Sequence, residues 1–194
     1  MGKPTVFVRL ATCNLRCRYC DTRYAFWEGN VWTVEKVLEE IAAYPTKWVC
    51  LTGGEPLGQR GIYPLMQELE RGGYQISLET GGGFSVIDVP ASVIKVLDLK
   101  CPDSGETEAM VWENTTLLNP HDQVKFVVSS KADFEWSEKI AKEKGLFDKA
   151  TVLVSPVADK VSPRELADWT LASGLPFTMQ IQLHKVIWGN QRGV

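Results

Sequence analysis

Seven short apolar runs, separated by turn residues or by stretches of helical period, constrain this chain most. They cover residues 5–11, 48–52, 75–79, 93–99, 123–129, 151–154 and 177–183. Helical patterns cover 34–44, 62–71, 132–144 and 163–172. The last is well bounded. Ser162 is an N-cap, Pro163 occupies the first helical position, Glu165 completes an S-x-x-E capping box, and Gly174 follows the end. Gly72 and Gly145 end two others. Segments 20–32 and 101–120 show neither period. Strand–helix–strand alternation implies parallel strands joined by crossover helices.

Parallel strands usually read apolar throughout, because helices cover both faces. Several runs here alternate instead. Ile76 and Leu78 oppose Gln75, Ser77 and Glu79; Val124, Phe126 and Val128 oppose Gln123, Lys125 and Ser129. Met179, Ile181 and Leu183 oppose Thr178, Gln180, Gln182 and His184, and Arg9 shares the face of Phe7. A closed eight-stranded barrel fills its interior with branched apolar side chains. The expected fold is therefore an α/β, incomplete (β/α) barrel of about six parallel strands, a single domain over 1–194, with a polar interior. Glycines and hydrogen-bonding residues gather where the strands end, as in Thr52-Gly53-Gly54-Glu55 and Glu79-Thr80-Gly81-Gly82. Parallel α/β proteins build their sites on that rim.

Length and charge narrow the function. The 194 residues carry a formal charge of −3, with no cationic stripe for nucleic acid. No apolar run approaches membrane-spanning length and no signal peptide is present, so a cytoplasmic protein without a membrane partner is expected. Five cysteines, three of them within eight residues, suit metal binding better than a disulfide framework. Those three are Cys13, Cys17 and Cys20, spaced C-x3-C-x2-C. A zinc ribbon needs a second C-x2-C, which is absent, and a Cys3His site would need His121 or His184. Cys50 reads as a small core residue within an apolar run, and Cys101 as a surface loop thiol. Three thiolates holding a four-iron cluster leave one iron open to a small molecule.

The cysteine spacing, with Tyr19 before the last thiol and Leu51-Thr52-Gly53-Gly54-Glu55-Pro56 downstream, resembles the radical S-adenosylmethionine (SAM) superfamily. An isolated Gly-Gly-Glu-Pro would read as a tight strand–helix turn. The resemblance implies a [4Fe-4S] cluster whose open iron takes the amine and carboxylate of SAM, and whose electron releases a 5′-deoxyadenosyl radical. "GKPTVFVRLATCNLRCRYCDT", "LTGGEPL", "LETGG", "DLKCPDSGE", "VKFV", "SPV" and "QLHK" together look like the 7-carboxy-7-deazaguanine synthase family. That family rearranges 6-carboxy-5,6,7,8-tetrahydropterin to 7-carboxy-7-deazaguanine with loss of ammonia, toward queuosine and related 7-deazapurines.

Residue roles follow from the resemblance. Cys13, Cys17 and Cys20 would hold the cluster, and Thr22 would ligate a Mg²⁺ that also touches the substrate carboxylate. Arg9, Thr52, Gln182 and His184 would contact the pterin. Gly54, Asp98, Leu99, Lys100, Ser155, Pro156, Val157 and Ala158 would line the SAM site. Glu79 is the inward carboxylate and a candidate catalytic residue. Plainer readings stand beside these: Thr22 as a turn cap, Arg9 as a strand-end charge reaching solvent, His184 as a structural histidine. A flavodoxin-type electron donor and a homodimer are further expectations from the family. The chain departs from it in three places. Of the family's Ser-Pro-Lys, only Lys100 is matched. The pterin-gripping loop expected upstream is not represented. The carboxyl end runs past the His-Lys pair. A glycyl-radical-enzyme activating enzyme and a non-enzymatic zinc-binding module are the alternatives.

Overall fold

A computed structural model describes residues 2–189 and Gln191. Its centre is a sheet of seven parallel strands in sequential order. These are β1 (Val6–Leu10), β2 (Trp48–Gly53), β3 (Gln75–Thr80), β4 (Ile94–Leu99), β5 (Gln123–Val128), β6 (Thr151–Pro156) and β7 (Thr178–Met179). No pairing joins β1 to β7 among the described residues, so the barrel stays open. The helices are α1 (Val34–Ala42), α2 (Ile62–Arg71), α3 (Lys131–Glu143), α4 (Pro163–Ser173) and α5 (Leu183–Trp188). The two aperiodic segments resolve into 3-10 turns: Arg23–Phe26 in the first, and Pro102–Ser104, Thr107–Ala109 and Trp112–Thr116 in the second.

Local chemistry starts the helices, at α4 as expected. The Thr33 hydroxyl accepts the Lys36 amide at the head of α1, and Ser162 and Glu165 form the full capping box of α4. Alternation then divides the strands. Val49, Leu51, Ile76 and Leu78 bury one apolar core against Ile41, Leu65 and Leu69 of α1 and α2. Leu97, Leu99, Val124, Phe126 and Val128 bury a second with Phe134 of α3 and Leu166 of α4. Each wholly buried aliphatic or aromatic side chain contributes about 1.5–3 kcal/mol from loss of contact with water.

Seven strands pair, one for each of the seven apolar runs, in an open barrel as expected. Two other expectations change. The last strand is only two residues long instead of spanning 177–183, and Leu183 and His184 begin α5. Its partner explains the stop. The Gln180 amide still donates to Val154 O, at 2.8 Å, but the next donor on β6 would be Pro156, which has no N–H. Cys101 is not a surface thiol: it is fully buried in the second core, where burial pushes its pKa well above the ordinary value. No helix among the described residues is long and apolar enough to cross a membrane.

Candidate active site

Two loops at the carboxyl rim are stitched together by backbone. After β1 the chain enters Thr12 in the left-handed region (φ 66°), an unfavourable conformation for a β-branched residue. Contacts on both sides hold it: the Thr12 amide donates to Ala25 O at 2.6 Å, and Thr12 O accepts the Glu55 amide at 2.7 Å. The Gly54 amide donates to Leu10 O at 2.9 Å. A Cβ on Gly54 would stand 1.8 Å from Thr12 O, so glycine is what lets the two loops touch. Whatever these glycines offer a ligand, the backbone that approaches Gly54 here is that of the cysteine loop.

Glu55, only 1% exposed, fastens this assembly to β3. Its Oε1 accepts the Leu57 amide (3.0 Å) and the Thr80 hydroxyl (2.8 Å), and its Oε2 accepts the Gly81 amide (2.7 Å). Burial raises its pKa, while these donors pull the other way. Sequence reading assigned Glu55 no separate role. Its partners Thr80 and Gly81, at and just past the end of β3, are 25 and 26 residues away, and nothing local announces them.

The cysteine loop is anchored from three directions. Leu15 is buried in the second core, the Arg18 amide donates to Ser104 O at 3.0 Å, and the Tyr19 hydroxyl donates to Val127 O at 3.0 Å. Cys13, Cys17 and Cys20 are free, partly buried thiols. Burial raises the pKa of Cys13 and pushes that of Cys17 up to about 11, with the Lys100 charge opposing both. Lys100 pairs with Asp98 Oδ2 at 2.9 Å. Burial lowers the Lys100 pKa, but Asp98 and the cysteines outweigh it and hold the amine above its usual range.

Among the described residues, no three His, Cys, Asp or Glu side chains converge on one point as a single ion requires. A four-iron cluster makes a different demand, because each thiolate binds its own iron. Three soft donors spread along one loop, beside the lysine, fit the cluster. Thiols held neutral by burial must lose protons to bind iron. Loading at limiting iron and sulfide is therefore expected to rise from about pH 7 to about pH 9 and to acidify a weakly buffered solution. Loading that ignores pH would contradict this.

Below the rim, Arg9 of β1 is in register with Thr52 of β2. Glu79 of β3 is in register with Val96 of β4 and is half-buried on the interior face. Cys50 is buried, as expected, but on this interior face, in register with Phe7 and Ser77. Burial and the Glu79 charge push its thiol up to about 12, while a Ser77 hydrogen bond, Arg9 and Lys125 act in the opposite sense. An apolar run buried on both faces conceals which way its small residue points.

Other expected positions scatter around this centre. Asp98 Oδ1 is buried without a hydrogen-bond partner at the end of β4. Leu99 turns into the second core, so only its backbone can face a cofactor. Ser155 is buried near the end of β6, Pro156 closes that strand, the Val157 amide donates to Val128 O at 2.8 Å, and Ala158 is exposed. Thr22 makes no side-chain cap; its hydroxyl donates to Asp21 Oδ1 at 2.9 Å. Gln182 Nε2 and Lys185 Nζ reach Asp21 Oδ2 at 2.7 and 3.3 Å, tying the start of α5 to the cysteine loop. Burial would raise the Asp21 pKa, but these donors outweigh it and lower it. His184 lies exposed on α5 rather than on a polar strand face. His121 sits at the opposite rim, just ahead of β5, bonded to Ala91 O at 3.0 Å. A cleft of about 380 Å³ between Pro120, Phe147 and Thr178 also lies at that far rim and contains no cysteine.

Comparison with known proteins places these features. A family profile described as the radical SAM superfamily matches residues 8–99. The 7-carboxy-7-deazaguanine synthase of Koribacter versatilis (strain Ellin345) is 39% identical over 202 residues, covering 96% of this chain and 89% of its own length. The enzyme of the same name from Chlorobaculum tepidum is 40% identical over 197 residues, with 100% and 90% covered. That from Clostridium acetobutylicum is 37% identical over 202 residues, with 100% and 91% covered. Among solved structures, Streptococcus suis SuiB bound to S-adenosylmethionine matches with a TM-score of 0.64 at 12% identity. The match covers 92% of this chain and half, 50%, of that one, and the likeness is one of fold.

Proposed function

The chain belongs to the 7-carboxy-7-deazaguanine synthase family of radical SAM enzymes, and on that premise we propose that it converts 6-carboxy-5,6,7,8-tetrahydropterin to 7-carboxy-7-deazaguanine and ammonia. The observation that carries this reading is one juxtaposition. Three thiols on a rim loop are locked to the Gly53–Gly54–Glu55 turn, whose strand delivers Thr52 beside Arg9 to the interior.

When bound, the cluster and SAM supply an electron and a carbon-centred radical; the protein supplies position and shelter. Cys13, Cys17 and Cys20 hold the cluster. The Gly54 backbone, the Asp98–Lys100 pair and the Ser155–Ala158 rim line the SAM site, and the unpartnered Asp98 Oδ1 is an acceptor ready for a donor group. Leu99 contributes its backbone alone. Arg9 presents a planar fork that matches both oxygens of the substrate carboxylate. Thr52, Gln182 and Glu79 offer hydrogen bonds to the ring, and His184 reaches substrate only if α5 turns it inward. Mg²⁺ would be held by Thr22, substrate oxygens and water. That role requires the Thr22 hydroxyl to leave Asp21, and Asp21 keeps Gln182 and Lys185 as partners when it does. A flavodoxin-type donor, a homodimer and a cytoplasmic setting complete the proposal.

The test is anaerobic incubation of the reconstituted protein with SAM, reductant, Mg²⁺ and the carboxytetrahydropterin. The deazapurine is expected. Intact SAM cleavage with no deazapurine would defeat the reading. Thr22→Ala should keep the cluster's visible absorbance and lose at least about tenfold in Mg²⁺-stimulated turnover, the low end for weakening a metal site. An unchanged magnesium response would remove Thr22 from the metal site.

A further inference from the structure

We propose that Lys125 is a substrate-binding residue, whose ammonium donates to an oxygen of the anionic substrate across the sheet from Arg9. The proposal rests on the functional reading above. Lys125 lies on β5, between Gln123 and Val127, on the interior side; its neighbours Val124, Phe126 and Val128 are fully buried the other way. Its register partners are Asp98 on β4 and Leu153 on β6. Lys125 and Arg9 both lie close enough to Cys50, on β2 between them, to act on its thiol.

Its isolation is the informative feature. Lys125 is half-buried, yet among the described residues its ammonium has no hydrogen bond and no ion pair. The adjacent carboxylate, Asp98, gives Oδ2 to Lys100 and keeps Oδ1 unpartnered, so it makes no ion pair with Lys125. Around Cys50 two cations, Arg9 and Lys125, face one carboxylate, Glu79. An ammonium with no partner in the protein keeps its donors free for a ligand oxygen. Arg9 and Lys125 thus give an anionic substrate two cations on one face of the sheet. Arg9 can take the carboxylate fork-on, which leaves Lys125 for a second oxygen. By contrast, the SAM-side Lys100 already has Asp98 Oδ2 as its partner.

The test is equilibrium binding by anaerobic calorimetry on cluster-loaded protein, titrating the carboxytetrahydropterin and SAM separately. Lys125→Gln and Lys125→Met should each weaken pterin binding by about tenfold or more, the scale of one hydrogen bond to a charged group. Lys125→Arg should recover part of that loss. SAM affinity, cluster absorbance and melting temperature should stay near wild type. Pterin affinity within about twofold of wild type in both neutral variants would overturn the assignment; so would a loss confined to SAM. Failure of the wild-type protein to bind the pterin would instead bring down the functional reading, so the two failures are distinct. If one neutral variant does not fold, the other, which keeps the aliphatic stem or the polar end, still decides.

Discussion

Replacing Cys17 with Ala is expected to give a folded protein that holds no complete cluster and forms product only at background. The thiol is partly buried against the second core, so the substitution removes packing on the scale of one methyl group, about 1 kcal/mol. The surrounding loop does not depend on its sulfur. The Arg18, Cys20 and Tyr19 contacts that shape it run through backbone atoms and the Tyr19 hydroxyl. Chemistry is lost because no neighbour can replace the ligand: Cys101 is walled into the core and Cys50 faces the interior below the rim. The check is threefold: visible absorbance and iron content after reconstitution, SAM cleavage, and melting temperature. A variant that cleaves SAM at the wild-type rate would show that the cluster is held elsewhere.

Asp122→Ala is expected to damage stability rather than chemistry. Asp122 is fully buried just ahead of β5. Its carboxylate takes the Lys95 ammonium at 2.8 Å, the Lys95 amide at 2.8 Å and the Asn119 amide at 2.7 Å. Lys95 is itself buried, on the helix side of β4. Removing one partner leaves a buried ammonium and two amides unsatisfied, which costs about 3–5 kcal/mol. For a chain of this size that corresponds to a fall in melting temperature of roughly 6–20 °C. The double change Lys95→Met with Asp122→Leu should recover much of it, since an apolar pair of similar volume leaves no charge behind. A single variant that melts within about 2 °C of wild type would show that water already reaches the pair.

The pair also shows where legibility ended. Lys95 falls in a run that reads as apolar strand, and a lysine there gives no sign of its carboxylate 27 residues away. Cys101 failed for a related reason. A thiol's depth, and the face it occupies, follow from what packs on either side rather than from its immediate neighbours. The strand read over 177–183 failed at a particular atom. Alternation continues past Met179, but the ladder ends where Pro156 offers no donor, and the chain enters α5. The same turn moved His184 off the polar face and brought Gln182 to Asp21, 161 residues away in sequence.

What the amino-acid order determined by itself was periodic or closely spaced: parallel strands with crossover helices, a polar interior face, the capped helix at Ser162, and three thiols spaced for a cluster with an open iron. Each depends on residues within about two helical turns of one another, so local geometry suffices. Tertiary structure decided the rest. It seated Thr12 against Gly54, gave Glu55 its donors Thr80 and Gly81, turned Cys50 inward and left Lys125 without an ion pair among the described residues. Those outcomes rest on strand register and loop contact across the barrel, and no local period records which distant atoms will meet there.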